Sequence, residues 1–167
     1  IITKISTQPT LSQVLYYNDP SFGPSGALPL KVGKETVVTI HWQLVNPGND
    51  INNVVIKGVL PSNVTWKNVT SVGAGQPQVI YNSNSSEVTW SLGTLPFGTG
   101  VGTPRYDGAF QVGITPSSTQ VGTAPVVLKN VNMTGQDEFT GQPVSSTVRD
   151  ATTNDFVDRP GEGAVQQ

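Results

Sequence analysis

The sequence predicts an all-β domain built as an antiparallel sandwich, and three observations carry that expectation. Residues 36–45 (TVVTIHWQLV) alternate cleanly. Val38, Ile40, Trp42 and Leu44 fall on one face and Thr39, His41 and Gln43 on the other, which is the period of a half-buried strand. Apolar residues nowhere recur at helical spacing, whereas short β runs follow one another with Gly, Pro and Asn between them. Charged residues make up only 12% of the 167-residue chain, against 18 Gly and 13 Pro, so its surface is neutral, hydroxyl-rich and turn-rich.

Taken in order, residues 1–17 offer two short strands around Pro9, followed by a loop that contains Pro20, Gly23, Pro24 and Gly26. Residues 36–45 then turn through Asn46-Pro47-Gly48-Asn49 into a second β run at 53–60, and the pair reads as a hairpin. Leu60-Pro61 stops that run, because proline cannot donate to a ladder. Residues 64–69 supply a short strand around Trp66, and residues 79–81 another. Residues 87–92 alternate well, with Val88, Trp90 and Leu92 turned inward to face the Trp42 strand across a common core. A Gly-rich loop at 98–108 leads into residues 109–115, where Phe110, Val112 and Ile114 share a face, and strands at 124–131 and 144–148 follow. A count of about seven to nine strands suits an immunoglobulin-like antiparallel β-sandwich. Residues 1–30 are expected to be an N-terminal strand segment and loop, part of the sandwich or docked on it. Residues 31–149 form the sandwich core, and residues 150–167 read as a polar linker or tail.

Several function classes drop out on composition. The net charge is −2 and no Lys/Arg cluster is present, so there is no electrostatic footprint for nucleic acid or an anionic membrane. Cysteine is absent, which removes disulfides, thiol nucleophiles and thiolate metal sites. No apolar run approaches the roughly 20 residues of a membrane-spanning helix. The Ser and Thr residues lie in no nucleophile elbow, and no pair of acids occupies inward strand positions, so no catalytic residues are assigned.

The pattern resembles the conserved-repeat domains of large bacterial cell-surface proteins, often labelled the eleventh domain of unknown function. The matching residues are the Trp42 strand, Asn46-Pro47-Gly48-Asn49, Asn53-Val54-Val55-Ile56 ending in Leu60-Pro61, and the stretch from Val88 through Trp90 and Leu92 to Leu95. The second half adds Phe110-Gln111-Val112, Gln120-Val121-Gly122-Thr123-Ala124-Pro125, Thr134-Gly135-Gln136-Asp137 and Thr140-Gly141. This fuller pattern is similar to domains in giant surface proteins of ultra-small bacteria of the candidate-phyla group. The resemblance implies an immunoglobulin-like sandwich used in tandem arrays at the cell envelope, extracellular and without catalysis. Where many members carry an acidic residue before the Leu-Pro turn, this chain has Lys57-Gly58, so no ion carries over to that position.

Three groups of side chains are candidate sites. Asp137 and Glu138 sit beside Gly135, and Asp150, Asp155 and Asp158 cluster near the C-terminus. Such hard oxygen ligands suit Ca²⁺ at a joint with a neighbouring domain, the alternative being solvated turn carboxylates. Tyr16, Tyr17, Phe22, Phe97 and Tyr106 lie in the terminal segment and long loops. They offer stacking faces for surface glycans or anchors for a protein partner, or else they plug the open ends of the sandwich. His41, the single histidine, is expected on the solvated face of its strand, and Trp42, Trp66 and Trp90 are assigned to the core. The expected function is structural: an extracellular spacer, or an assembling subunit of a surface array or filament, whose partners are neighbouring domains or subunits. In one variant an apolar N-terminal strand, residues 1–5 or residues 11–17, completes the sheet of a neighbour. The alternative is an adhesin or carbohydrate-binding module that uses the loop aromatics.

Overall fold

The computed structural model describes residues 3–167. Its ten strands are β1 (Thr10–Tyr16), β2 (Thr36–Val45), β3 (Ile51–Val59), β4 (Val64–Ser71), β5 (Ile80–Asn82), β6 (Glu87–Leu95), β7 (Tyr106–Ile114), β8 (Val126–Asp137), β9 (Pro143–Thr147) and β10 (Ala151–Thr152). Two short 3-10 turns complete the elements, at Ser118–Gln120 and Thr153–Asp155. All strand pairings are antiparallel and fall into two sheets, one ordered β1-β2-β7-β4 and the other β10-β8-β3-β6-β5 with β9 also on β8. This is the immunoglobulin-like sandwich that the alternation predicts.

The core lies between the sheets, and its two largest members interdigitate through glycine. Trp42 of β2 and Trp90 of β6 are fully buried. A Cβ on Gly108 of β7 would stand 2.9 Å from the Trp90 ring, and one on Gly58 of β3 would stand 3.2 Å from the Trp42 ring. Each indole therefore uses the space left by a missing side chain on the opposite sheet. Trp90 donates its indole N–H to the Pro77 carbonyl at 2.8 Å, and Trp42 donates to the Gln13 side-chain oxygen at 3.1 Å. Trp66 is a correction: it is half-buried at the rim, stacked on Tyr81 with ring centroids 5.5 Å apart.

Residues 36–60 do not form a hairpin. β2 pairs with β1 and β7, whereas β3 pairs with β6 and β8 in the other sheet, so the turn between them is an arch that crosses the sandwich. The reason is Asn46, which is fully buried. Its amide donates to the carbonyls of Asn49, Leu95 and Pro96 at 2.8, 3.2 and 3.2 Å, so it satisfies a corner instead of a tight two-strand turn. β3 also starts earlier than the alternation suggests. Asn53 bulges out with φ 54, and Ile51 and Val54 both point inward although three residues apart.

The segment 150–167 is not a linker. Ala151, Thr153, Phe156 and Val165 are all buried, and Phe156 lies parallel to Leu15 along the outer edge of β1. Its apolar residues are too widely spaced to show a period, and they make sense only against the sandwich they close. Of the two N-terminal strands expected, only β1 is found among the described residues. Residues 3–9 are irregular, and Ile1 and Ile2 lie outside the described residues. β1 is paired with β2 over seven consecutive positions, Thr10↔Val45 to Tyr16↔Thr39, so within this chain residues 11–16 serve its own sheet, and the other donor considered, residues 1–5, falls partly outside the described residues.

Candidate functional site

The expected calcium ligands are not brought together. Among the described residues no group of three or more His, Cys, Asp or Glu side chains is arranged to hold a metal ion. Asp137, at the end of β8, is fully buried and is a structural acceptor. It takes the Thr7 N–H at 2.7 Å, the Thr140 N–H at 2.9 Å and the Asn49 amide at 2.9 and 3.2 Å. Burial by itself raises a carboxyl pKa; these donors outweigh it and hold Asp137 at about 2. Thr7 in turn donates its hydroxyl to Asn46 at 2.6 Å. The N-terminal segment, the arch and the end of β8 are thereby locked into one clamp at what we call the Asn46 pole.

The remaining acids are spent separately. Asp155 accepts the Thr152 N–H at 2.7 Å and pairs with Arg149. Asp158 accepts the N–H groups of Tyr17 and Asn18 at 3.1 and 2.7 Å, and Asp150 takes that of Asn130 at 2.9 Å. Glu138 is exposed and borders an open hollow with Asn49, Asp50, Phe97 and Phe139. Each of these acids except Glu138 serves the backbone, which is how polar loops satisfy their N–H groups.

His41 is a further correction. The outer row of β2 is covered: Thr39 is fully buried, Gln43 is 7% exposed and the His41 side chain is 18% exposed. The loop after β1 and the Tyr16 ring, edge-on to the imidazole at 5.3 Å, do the covering. His41 Nε2 lies 2.7 Å from Asp19 Oδ2 and its Nδ1 2.7 Å from Asp107 Oδ1. A ring with a carboxylate on each nitrogen meets both only by donating from both, as imidazolium. Burial disfavours that form, but the bonds to Asp107 and Asp19 outweigh it and raise the pKa above the ordinary 6.5. Asp107 is lowered in turn, burial being outweighed by His41 and by Gln43, which donates to it at 2.9 Å. Both imidazole nitrogens are spent, so His41 has no lone pair for general-base work.

Beside this cluster runs an open groove. One hollow, of about 290 Å³, is lined by Phe22, His41, Gln76, Arg105 and Asp107 among others. It shares Gly73, Gln76 and Arg105 with a second, of about 430 Å³, that includes Pro96, Phe97 and Tyr106. Of the loop aromatics, Phe22 lines the first hollow and Phe97 and Tyr106 the second, whereas Tyr16 and Tyr17 line neither. Tyr16 packs on His41, and Tyr17 donates its hydroxyl to the Gly26 carbonyl at 2.8 Å. Phe22 is presented by a turn that Asp19 builds, accepting the N–H groups of Ser21 and Phe22 at 2.8 and 3.1 Å. The sequence reading missed Arg105, Gln76 and the Asp19–His41–Asp107 cluster. No local signal marks them, because the cluster depends on β7 lying beside β2.

No family model matches the chain, and no curated protein matches it. Solved structures do. The full-length major pilin SpaD from Corynebacterium diphtheriae aligns at 8% identity and a TM-score of 0.51, over 87% of this chain and 34% of that one. BcpA, the major pilin subunit of Bacillus cereus, aligns at 12% identity and a TM-score of 0.50, over 87% of this chain and 40% of that one. The chain therefore spans two fifths or less of the pilins it matches, and at these identities the likeness is one of fold alone. No helix of the described residues is long and apolar enough to cross a membrane.

Proposed function

We propose that this chain is a non-catalytic structural domain of an extracellular surface protein, serving as a spacer or as an assembling subunit of an array or filament. The observation that carries the reading is mechanical. Residues 5–9 are clamped at the Asn46 pole through Thr7, Asn46, Asn49 and Asp137. Residues 163–166 are clamped at the opposite pole, where β2 starts: Val165 donates to Thr123, Gln166 donates to Leu30, and Val32 donates back to Gln166. A pull along the long axis, passed through these clamps, loads the β1–β2 ladder in shear, so its seven residue pairs resist together. The pilin-like fold and the repeat-domain pattern support the same reading, with neighbouring domains or subunits as partners and the cell surface as location.

Stretching a tandem of this domain by atomic-force spectroscopy, with the pull entering at residue 3 and leaving at residue 167, tests it. One sharp, high-force peak per domain is expected, and gradual extension at low force would sink a load-bearing role. Sedimentation velocity over a concentration series then separates the two forms of the proposal: growth with concentration marks an assembling subunit, and a persistent monomer a spacer.

A further inference from the structure

We infer that the groove beside β7 is a binding site for a carboxylate-bearing saccharide, with Arg105 receiving the carboxylate and Phe22 and Phe97 offering apolar faces to the sugar rings. This does not depend on the mechanical role proposed above.

The donor and acceptor balance of the groove points to the ligand. Its strongest acceptors are already engaged. Both Asp107 oxygens are taken, one by His41 and one by Gln43, and Gln76 Oε1 accepts the Gly73 N–H at 3.2 Å. Its donors are not. Among the described residues the Arg105 guanidinium, Gln76 Nε2 and the hydroxyls of Ser21 and Ser71 make no hydrogen bond, and all four side chains line the groove. A site with donors to spare fits an acceptor-rich, anionic guest, and the planar guanidinium fork matches a carboxylate with two parallel bonds.

The neighbouring Asp107 would ordinarily claim Arg105 for itself. Here Asp107 already accepts from His41 and Gln43, and Arg105, which is exposed, makes no ion pair with it among the described residues, so its guanidinium is open to a ligand. The apolar part lies at the two ends. Phe97 is 66% exposed, and Phe22 is half-buried on its Asp19-built turn. Pro96, Pro104 and Tyr106 extend the wall between Phe97 and Arg105. The hollow of about 290 Å³ is lined mainly by polar side chains, Arg105 and Gln76 among them, and the adjoining one of about 430 Å³ by Pro96, Phe97, Pro104 and Tyr106, so a guest that spans both needs a charged, polar end and a ring face. The ring faces suit the C–H faces of a pyranose, and the hydroxyl-rich rim suits its equatorial oxygens.

The test is a titration of the ¹⁵N-labelled chain with oligogalacturonate and with an oligosaccharide of alternating glucuronate, using neutral malto-oligosaccharide as the comparison. Amide shifts are expected at Ser21, Phe22, Gly73, Gln76, Phe97 and Arg105 with at least one uronate probe, and about tenfold weaker or absent with the neutral one. Arg105→Gln should weaken uronate binding about tenfold or more, the worth of a charge-assisted bidentate contact, and Phe97→Ala several-fold. Both variants should keep the parent melting temperature, since both side chains are exposed. Silence of the groove with both uronate probes at millimolar concentration overturns the proposal. So do shifts centred away from the groove, equal affinity for the neutral sugar, or Arg105→Gln binding as tightly as the parent.

Discussion

Two acidic centres in this molecule look alike in sequence and do opposite things. At the Asn46 pole, Asp137 is sealed, and every donor around it, from Thr7, Thr140 and Asn49, is satisfied. On the outer face of β2 and β7, Asp107 is one third exposed and shares its charge with His41 while Arg105 beside it is left open. A carboxylate whose oxygens are all consumed by its own chain holds structure. A partly open cluster with spare donors next to it keeps chemistry for a partner and responds to pH.

The largest effect expected from breaking this contrast is at the sealed centre. Asp137→Ala strands the buried Thr7 N–H, the partly buried Thr140 N–H and the Asn49 amide and should cost about 4 kcal/mol, roughly 12 °C in melting temperature for a chain of this size. The same carboxylate sets the acid limit. Its folded pKa of about 2 lies below the ordinary 3.8, so its contribution is fully present above 3.8 and is lost as pH falls toward 2. Urea unfolding of parent and variant at pH 7, 4 and 2.5 checks both statements: the gap between them should close toward the lowest pH. A gap that persists unchanged at pH 2.5 would remove Asp137 from the account of acid stability.

Between the two centres lies the core, and its glycine sockets come next. Gly108→Val drives new atoms into the buried Trp90 ring, an overpacking expected to cost about 3 kcal/mol. Denaturant titration with Trp fluorescence should show both the lower midpoint and an altered Trp90 environment. Loss of less than about 0.5 kcal/mol would mean that the sheets separate more readily than their close approach implies.

The open centre gives the third and smaller effect. The groups that face the imidazole are Asp19 and Asp107, with the Tyr16 ring at its edge and Arg105 beyond Asp107. Because the folded pKa of His41 is raised above 6.5, its stabilisation is complete below 6.5 and is lost as pH rises through the folded value. His41→Gln should cost about 1 kcal/mol at pH 6 and less at pH 9. Melting curves across pH 5–9 test this, together with the His41 ring titration followed by NMR. A parent whose stability does not fall between pH 6 and 9 relative to the variant contradicts the doubly paired imidazolium at His41. Smallest of all is Phe97→Ala, whose exposed ring should leave stability within about 0.5 kcal/mol of the parent; a larger loss would make Phe97 a packing residue and not an open face.

The sealed and open centres also show how far a sequence can be read. Asp137 beside Glu138 invites a metal reading because adjacent acids in a turn are what a loop ligand set looks like. The partner that decides otherwise, Thr7, is 130 positions away. His41 sits on the polar side of a clean alternation, and nothing near it announces that Asp19 and Asp107, 22 and 66 positions distant, will close over it. The loop aromatics were legible as a group, yet only Phe22, Phe97 and Tyr106 share the groove. Their membership depends on where the loops after β1, β4 and β6 settle.

What the sequence determined by itself is whatever has a short period: the strands, their inward faces and the all-β class. Side chains two apart on a strand share a face whatever else the chain does. Tertiary structure alone decided which sheet each strand joined. It made residues 46–49 an arch, and it turned the polar C-terminal stretch into a seal along β1. It also decided which carboxylates were consumed and which remained open. Those outcomes rest on long-range hydrogen bonds and on packing across a core, where the free energy depends on who the neighbours are, and a linear pattern does not encode the neighbours.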